Sequence, residues 1–303
     1  MAWAKEIKRK ITSIKNTGKI TKAMELISTV KMKKAQDLAN SKKTFILEIL
    51  KIFLRIRDEL AEFPLFQPSL DAKKTLGVVI TSNKGLCWGY NVNIFKKVNT
   101  YMKENNETIE FMSLGKKAAR FVAKTGNKLQ ADFSDIYTDH FDPLHIKNIS
   151  RSIREEFLTG QYKKVVIFYT HFQNTIKQVA IDWEFLPVDE ADIEAYLRKV
   201  AWEYFDLQEE EKKFSDLSGY LIEPSVHEIA NEVVPMVLDM MFYDVILEAK
   251  ASEHSSRMIA MKNAKDNAKK IAGALTLKYN KARQSIITKE VSEITAWVES
   301  LKD

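Results

Sequence analysis

The chain has 303 residues, 45% of them hydrophobic and 29% charged, with a net charge of +6. That is long enough to bury a real core in one large domain or two ordinary ones, and no run approaches the about 18 apolar residues that span a bilayer. The charge is lopsided: residues 1–57 hold 15 Lys and Arg against 4 Asp and Glu, a basic segment suited to an acidic or polyanionic partner.

Nine glycines and six prolines are few for this length, which permits long uninterrupted helices. Residues 4–61 read as one such helix. Ile7, Ile11, Ile14, Gly18, Thr21, Met24, Ser28, Met32, Ala35 and Leu38 follow alternating steps of three and four, the seam of a helix packed on another helix. Small residues in mid-seam let two backbones approach closely. At about 1.5 Å per residue the segment would reach roughly 85 Å, wider than one globular core. Pro64 and Pro68 end it.

Residues 74–216 change character. Strands are predicted over 75–81, 108–114, 164–170 and 178–186, and helices around 93–103, 116–124 and 144–158. Strands alternating with helices imply βαβ units and a mostly parallel sheet. Residues 189–214 read only as helix or loop. Residues 225–300 are helical almost throughout: Ile229, Val233, Met236, Met240, Tyr243, Leu247, Ala251, His254, Met258, Met261, Ala268, Leu275, Ala282 and Ile286 trace an apolar or small stripe. Pro235 should kink this helix or begin its regular part. The fold class expected is therefore α/β: an antiparallel two-helix coiled coil from the two ends (residues 1–61 and 225–300), with an inserted Rossmann-like parallel-sheet domain (residues 74–216).

Chemistry-bearing motifs are scarce. No phosphate loop of the form G-x-x-x-x-G-K-[ST] occurs. Gly85 and Gly89 follow a strand and precede a helix, where nucleotide folds bind phosphate, but without the G-x-G-x-x-G frame they read as a tight turn. Cys87, the single cysteine, can form no internal disulfide, fits a reducing cytosol and reads as a buried small hydrophobe. His140, His145, His171, His227 and His254 show no metal-ligand spacing; His254 reads as packing on the seam. No catalytic residue, cofactor or metal is expected, nor a signal peptide, since Lys5, Lys8, Arg9 and Lys10 are followed by no apolar run. Nucleic acid is disfavoured as a partner because residues 1–39 lack the aromatics of a stacking platform. Glu253 and Arg257 form an i,i+4 pair of favourable orientation, a minor helix-stabilising contact. Arg283, Gln284, Thr288 and Glu290 are polar on neighbouring turns of the last helix.

Three stretches, one in each segment, resemble the γ subunit of F-type ATP synthases. The first is Ile14-Lys15-Asn16-Thr17-Gly18-Lys19-Ile20-Thr21-Lys22-Ala23-Met24-Glu25-Leu26 with Lys31-Met32-Lys33-Lys34-Ala35-Gln36. The second, Thr81-Ser82-Asn83-Lys84-Gly85-Leu86-Cys87-Trp88-Gly89-Tyr90-Asn91, is similar to the family's T-S-D-[RK]-G-L-C-G-G-[LYF]-N. The third comprises Ala251-Ser252-Glu253-His254-Ser255-Ser256-Arg257-Met258 and Tyr279-Asn280-Lys281-Ala282-Arg283-Gln284-Ser285-Ile286-Ile287-Thr288-Lys289-Glu290, the latter the family's signature. Order and spacing match over the whole chain. Three departures stand out: Asn83 where the family has Asp, Trp88 where it has Gly, and a charged, Trp297-bearing tail in place of a short small-residue one.

The resemblance implies a non-catalytic central rotor shaft that couples rotation to ATP synthesis or hydrolysis in a ring of α and β subunits. It implies contacts with the catalytic β subunit at Met24, Glu253, Arg257, Arg283, Gln284, Thr288 and Glu290. It implies a rotor-base region at Lys84, Gly85, Leu86, Cys87 and Gly89, with the ε subunit and the c-ring as further partners. The complex would lie on the cytoplasmic face of the bacterial cell membrane, touching the membrane only through partners. A divergent F-type-like ATPase that performs mechanical work without proton translocation is the alternative. Outside the family, a free-standing nucleotide-binding enzyme would need a phosphate loop, and a nucleic-acid-binding coiled coil would show binding that collapses with rising salt.

Overall fold

The computed structural model describes residues 2–39, 43–56, 60, 63–69, 71–105, 107–139, 142–202, 223 and 225–300. The elements in chain order are α1 (Ala2–Ala39), α2 (Lys43–Ile56), β1 (Lys74–Ile80), α3 (Tyr90–Asn105), β2 (Thr108–Leu114), α4 (Lys116–Thr125), β3 (Leu129–Asp132), α5 (Pro143–Leu158), β4 (Tyr162–Phe172), β5 (Gln178–Leu186), α6 (Glu190–Trp202) and α7 (Val226–Ser300). Two compact units emerge, Val30–Ser256 and Met1–Thr29 with Arg257–Asp303.

The larger unit is built on a five-stranded sheet of order β3-β2-β1-β4-β5. β1 pairs in parallel with β2 and β4, β2 in parallel with β3, and β5 closes the sheet antiparallel to β4. β1 is central, and its residues 75–80 are buried without interruption, the continuous apolar pattern of a strand covered on both faces. One face packs Val79, Ile109, Phe111, Val166 and Phe168 against α3 and α4 through Ile94, Val98, Ala118 and Val122. The other packs Leu76, Val78, Ile80, Met112 and Ile167 against α2, α5, α6 and the first part of α7. Gly77 leaves room for the Phe111 ring, whose nearest carbon would lie 2.7 Å from an added Cβ.

The span read as one helix from residue 4 to residue 61 carries two helical elements. Residues 40–42, 57–59 and 61 of it lie outside the described residues. α2 differs from α1 in kind. Ile49, Leu50, Phe53 and Ile56 are bulky and fully buried in the sheet's core, so this helix serves the α/β unit. The same holds for the start of α7: Val233, Val234, Val237, Leu238, Met241 and Phe242 join that core. Two apolar residues per turn make a face broad enough for a sheet, wider than a two-helix seam needs. Pro235 lies within the helix near its beginning. A short strand, β3, and the helix α6 resolve stretches to which the sequence assigned no definite element; residues 203–222 lie outside the described residues.

The smaller unit holds the antiparallel pairing of α1 and α7. Gly18 faces Ala268, with an added Cβ on Gly18 lying 3.6 Å from the Ala268 Cβ. Further on, Glu25 receives Lys265 Nζ at 2.7 Å. Advancing seven residues on α1 thus moves back three on α7, which fixes the antiparallel sense. Ile7, Ile11, Thr21 and Ser28 are buried in this seam together with Met261, Ala268 and Ala272. Thr21 satisfies its hydroxyl by donating to the Gly18 carbonyl at 3.1 Å, so its burial leaves no orphan donor.

Candidate functional site

The polar residues near the end of α7 stand open. Arg283, Gln284, Thr288 and Glu290 are all exposed. Thr288 Oγ1 donates to the Gln284 carbonyl one turn back at 2.9 Å, leaving the hydroxyl's acceptor side outward. At 100° per residue the four span about 160° of the helix circumference. Ile287, Val291, Ile294 and Trp297 fall in or beside the same arc, and all four are exposed. An apolar stripe interleaved with a cation, an amide, a hydroxyl and a carboxylate is a surface shaped to be covered, with polar groups that fix register. Met24, half-buried, lies on the seam side of α1.

Glu253 and Arg257, spaced as a minor helix-stabilising pair, lie away from solvent. Both are buried, at 3% and 7% exposure. The Glu253 carboxylate lies 3.4 Å from Lys250 Nζ. Around Ser252 and Ser255 the helix lies close against the α/β unit, its small residues bonding to β4 and to the connection between β4 and β5. Ser252 Oγ donates to the Thr170 carbonyl at 3.1 Å, and Ser255 Oγ to the Thr175 carbonyl at 2.7 Å.

Beside them lies an ionic cluster that sequence reasoning missed. Asp139, on the loop after β3, receives Lys31 Nζ of α1 at 2.5 Å and Lys250 Nζ of α7 at 3.3 Å, and His254 Nε2 lies 3.4 Å from it. The Lys250 side chain is 1% exposed, and its ammonium sits 3.8 Å from the centroid of the Tyr137 ring. The His254 contact, then the Lys250 charge and the Lys31 hydrogen bond, hold the Asp139 carboxyl far below the usual carboxylate range against the opposing effect of burial. His254 is buried on the helix, as its place on the stripe predicts. The available signal for the rest was Lys250, a lysine one helical turn from both Leu247 and His254 and so on the apolar side of α7.

The turn between β1 and α3 presents the second predicted region. Lys84, Leu86 and Trp88 are exposed, Gly85 and Gly89 are half-buried, and Cys87 is buried. The backbone departs from the expectation that the glycines make the turn. The left-handed positions are Leu86, at φ 63°, and Trp88, at φ 51°, a conformation costing a side-chain-bearing residue about 1–2 kcal/mol. Cys87 packs between them, its sulfur 3.3 Å from Asn91 Nδ2. Ser82 Oγ donates to the Lys84 carbonyl at 2.6 Å and accepts from Asn91 Nδ2 at 2.8 Å. The turn is thus tied down while its two apolar side chains project outward.

Among the described residues no three His, Cys, Asp or Glu side chains converge to hold a metal ion, and no helix is long and apolar enough to cross a membrane. His140 lies outside the described residues; His145 is 3.6 Å from Asp142 at the start of α5.

Residues 3–301 match the family model described as ATP synthase. The chain is 33% identical to the ATP synthase gamma chain of Akkermansia muciniphila and 32% identical to that of Cytophaga hutchinsonii, covering all of both sequences in each case. It is 34% identical to the ATP synthase gamma chain of Halothermothrix orenii over 305 residues, again at full coverage of both. Its fold is similar to a chain in the cryo-EM structure of the OSCP/F1/c-ring assembly of Euglena gracilis mitochondrial ATP synthase in rotational state 3. There the TM-score is 0.62 at 19% identity, covering 99% of this chain and 95% of that one. A chain in the rotor of the same enzyme gives a TM-score of 0.57 at 18% identity, covering 94% and 99%.

Proposed function

The chain belongs to the ATP synthase family as a relative of its gamma chains, and from that premise we propose that it is the central rotor shaft of an F-type ATP synthase, a subunit without a catalytic site of its own. The observation that carries this reading is the antiparallel pairing of α1 and α7 on a seam of small residues, continued by an α7 end whose amphipathic arc is exposed. A two-helix shaft is asymmetric in cross-section. It therefore offers a different face to each catalytic subunit of a surrounding ring at any instant. Each subunit is biased toward a different conformation, hence a different affinity for ADP and phosphate or for ATP, and rotation carries those biases around the ring. A partner shifts such an equilibrium only by its differential contact energy with the two states.

Arg283, Gln284, Thr288 and Glu290 supply that energy at the catalytic β subunits, with half-buried Met24 as a further contact along the shaft, while Glu253 and Arg257, at 3% and 7% exposure, support the helix from within the chain instead of meeting a partner. A hydrogen bond to a charged group is worth about 1.5–3 kcal/mol, and about 1.4 kcal/mol is a factor of ten in an equilibrium. Two or three such bonds bias one subunit strongly. The turn at Lys84, Gly85, Leu86, Cys87 and Gly89 serves the rotor base, with the ε subunit and the c-ring as partners. The complex sits at the cytoplasmic face of the cell membrane and reaches it through those partners. The test is the triple variant Arg283→Ala, Gln284→Ala, Thr288→Ala reconstituted with α and β subunits. Alanine keeps the helix, so the chain should fold while ATP hydrolysis by the complex falls at least tenfold or assembly weakens. An assembled triple variant that hydrolyses ATP at the parental rate overturns the assignment.

A further inference from the structure

Asn83 stands at the start of the exposed turn and bonds in three directions. Its Nδ2 donates to the Tyr137 carbonyl at 2.6 Å and to the Ser134 carbonyl at 3.1 Å. Its Oδ1 accepts the Lys116 backbone N–H, at the first turn of α4, at 2.9 Å. An aspartate could serve α4 but has no N–H for the two carbonyls. Asn83 therefore supplies two donors that an aspartate at this position would lack. Those donors hold the loop of residues 133–139, which carries two gripping groups. The Tyr137 ring lies under the Lys250 ammonium, and Asp139 bonds Lys31 on α1 and Lys250 on α7, with His254 Nε2 3.4 Å away. The loop is also pinned behind, where Ser134 N–H donates to the Asp132 carboxylate at 3.0 Å.

We propose that Asn83 and Asp139 form a brace that locks the exposed Leu86–Trp88 turn to α1 and α7, so that load applied at the turn reaches both helices through bonds instead of being absorbed by a loop. The links run along the chain from the turn to Asn83, from Asn83 to the 133–139 loop at 2.6 and 3.1 Å, and from that loop to Lys31 at 2.5 Å and Lys250 at 3.3 Å. The two ends of the brace differ as its task requires. Leu86 and Trp88 project into solvent at 65% and 74% exposure, whereas Lys250 and His254 at the gripping end are 1% and 2% exposed. The shaft reading supplies the use for such rigidity, but the brace is a property of the chain alone and is tested on it.

The test is amide hydrogen exchange on the full chain, read by mass spectrometry, for Asn83→Asp against the parent at pH 7. This variant keeps the acceptor for Lys116 and removes both donors. Exchange should rise at least tenfold in residues 133–139 and also in the helix segments around Lys31 and Lys250. The excess over the parent should shrink at pH 4, where a protonated Asp regains one donor, a recovery that simple loss of packing does not give. Unchanged exchange in the two helix segments, whether or not the loop loosens, overturns the brace. Should Asn83→Asp exchange rapidly everywhere, Lys31→Met enters from the other end and removes one half-exposed arm. The brace then requires faster exchange in residues 82–90, and parental exchange there overturns it. Neither result depends on whether the assembled complex turns over ATP.

Discussion

At the scale of single residues, two positions carry measurable consequences of their surroundings. Glu110 on β2 is buried, and its carboxylate receives Lys74 Nζ at 2.8 Å, Tyr162 Oη at 2.7 Å and Lys128 Nζ at 3.1 Å. The Lys74 contact leads in bringing its pKa down to about 2, with burial opposing. A depressed carboxylate stabilises the fold above its ordinary titration range and loses that contribution as pH falls through the folded value. Glu110→Gln should therefore be less stable than the parent at neutral pH, and the difference should fade between about pH 4 and pH 2. Urea midpoints across that range measure it, and parallel profiles for the two proteins would exclude the assignment. Trp88 is the second case. Its backbone lies in the left-handed region while its indole contributes little burial. Trp88→Gly should raise stability by up to about 1 kcal/mol, the relieved strain less the extra chain entropy of glycine. A loss of stability in denaturant unfolding would mean that the indole is held by more than its exposure suggests.

At the scale of elements, the width of an apolar stripe decides what a helix packs on. The α1 seam has one residue per turn, mostly small, and every seam residue the sequence singled out from Ile7 to Leu38 is buried or half-buried. The α2 face and the early α7 face carry two bulky residues per turn and go to the sheet. Reading all terminal helix as one coiled coil overlooked this difference, although the residues were in view. The register also needed coordinates, because a seam of small residues tolerates several alignments. Gly18 lies opposite Ala268. A Gly18→Cys, Ala268→Cys pair in a Cys87→Ser background should form a disulfide within one chain under mild oxidation, since a Cβ separation of 3.6 Å falls inside the usual disulfide range. Crosslinks formed only between chains would point to a dimeric coiled coil.

At the scale of the whole molecule, the proposed shaft carries no catalytic site of its own, and that proposal has a direct test. The isolated chain should hydrolyse ATP no faster than buffer. Robust turnover lost on substitution of one of its own residues would sink the shaft reading. The exposed arc bears on the same proposal: Ile287, Val291, Ile294 and Trp297 stand open in this chain, and on the shaft proposal a partner covers them.

The sequence by itself determined the alternation of strands and helices, the strands 108–114 and 178–186 to the residue, and the small-residue seams of the two ends. Periodicity and residue size are local properties, so these features were legible one segment at a time. The signature around Arg283 and Thr288 was legible in the same way, as a resemblance. Only the tertiary structure decided where α2 and the start of α7 go, the left-handed turn at Leu86 and Trp88, and the burial of Glu253 and Arg257. It alone gathered Lys31, Asp139, Lys250 and His254, separated by up to 223 positions in the chain. A charge on a predicted helix reads as solvent-facing until a partner from another segment is known to meet it, and no local pattern announces that meeting.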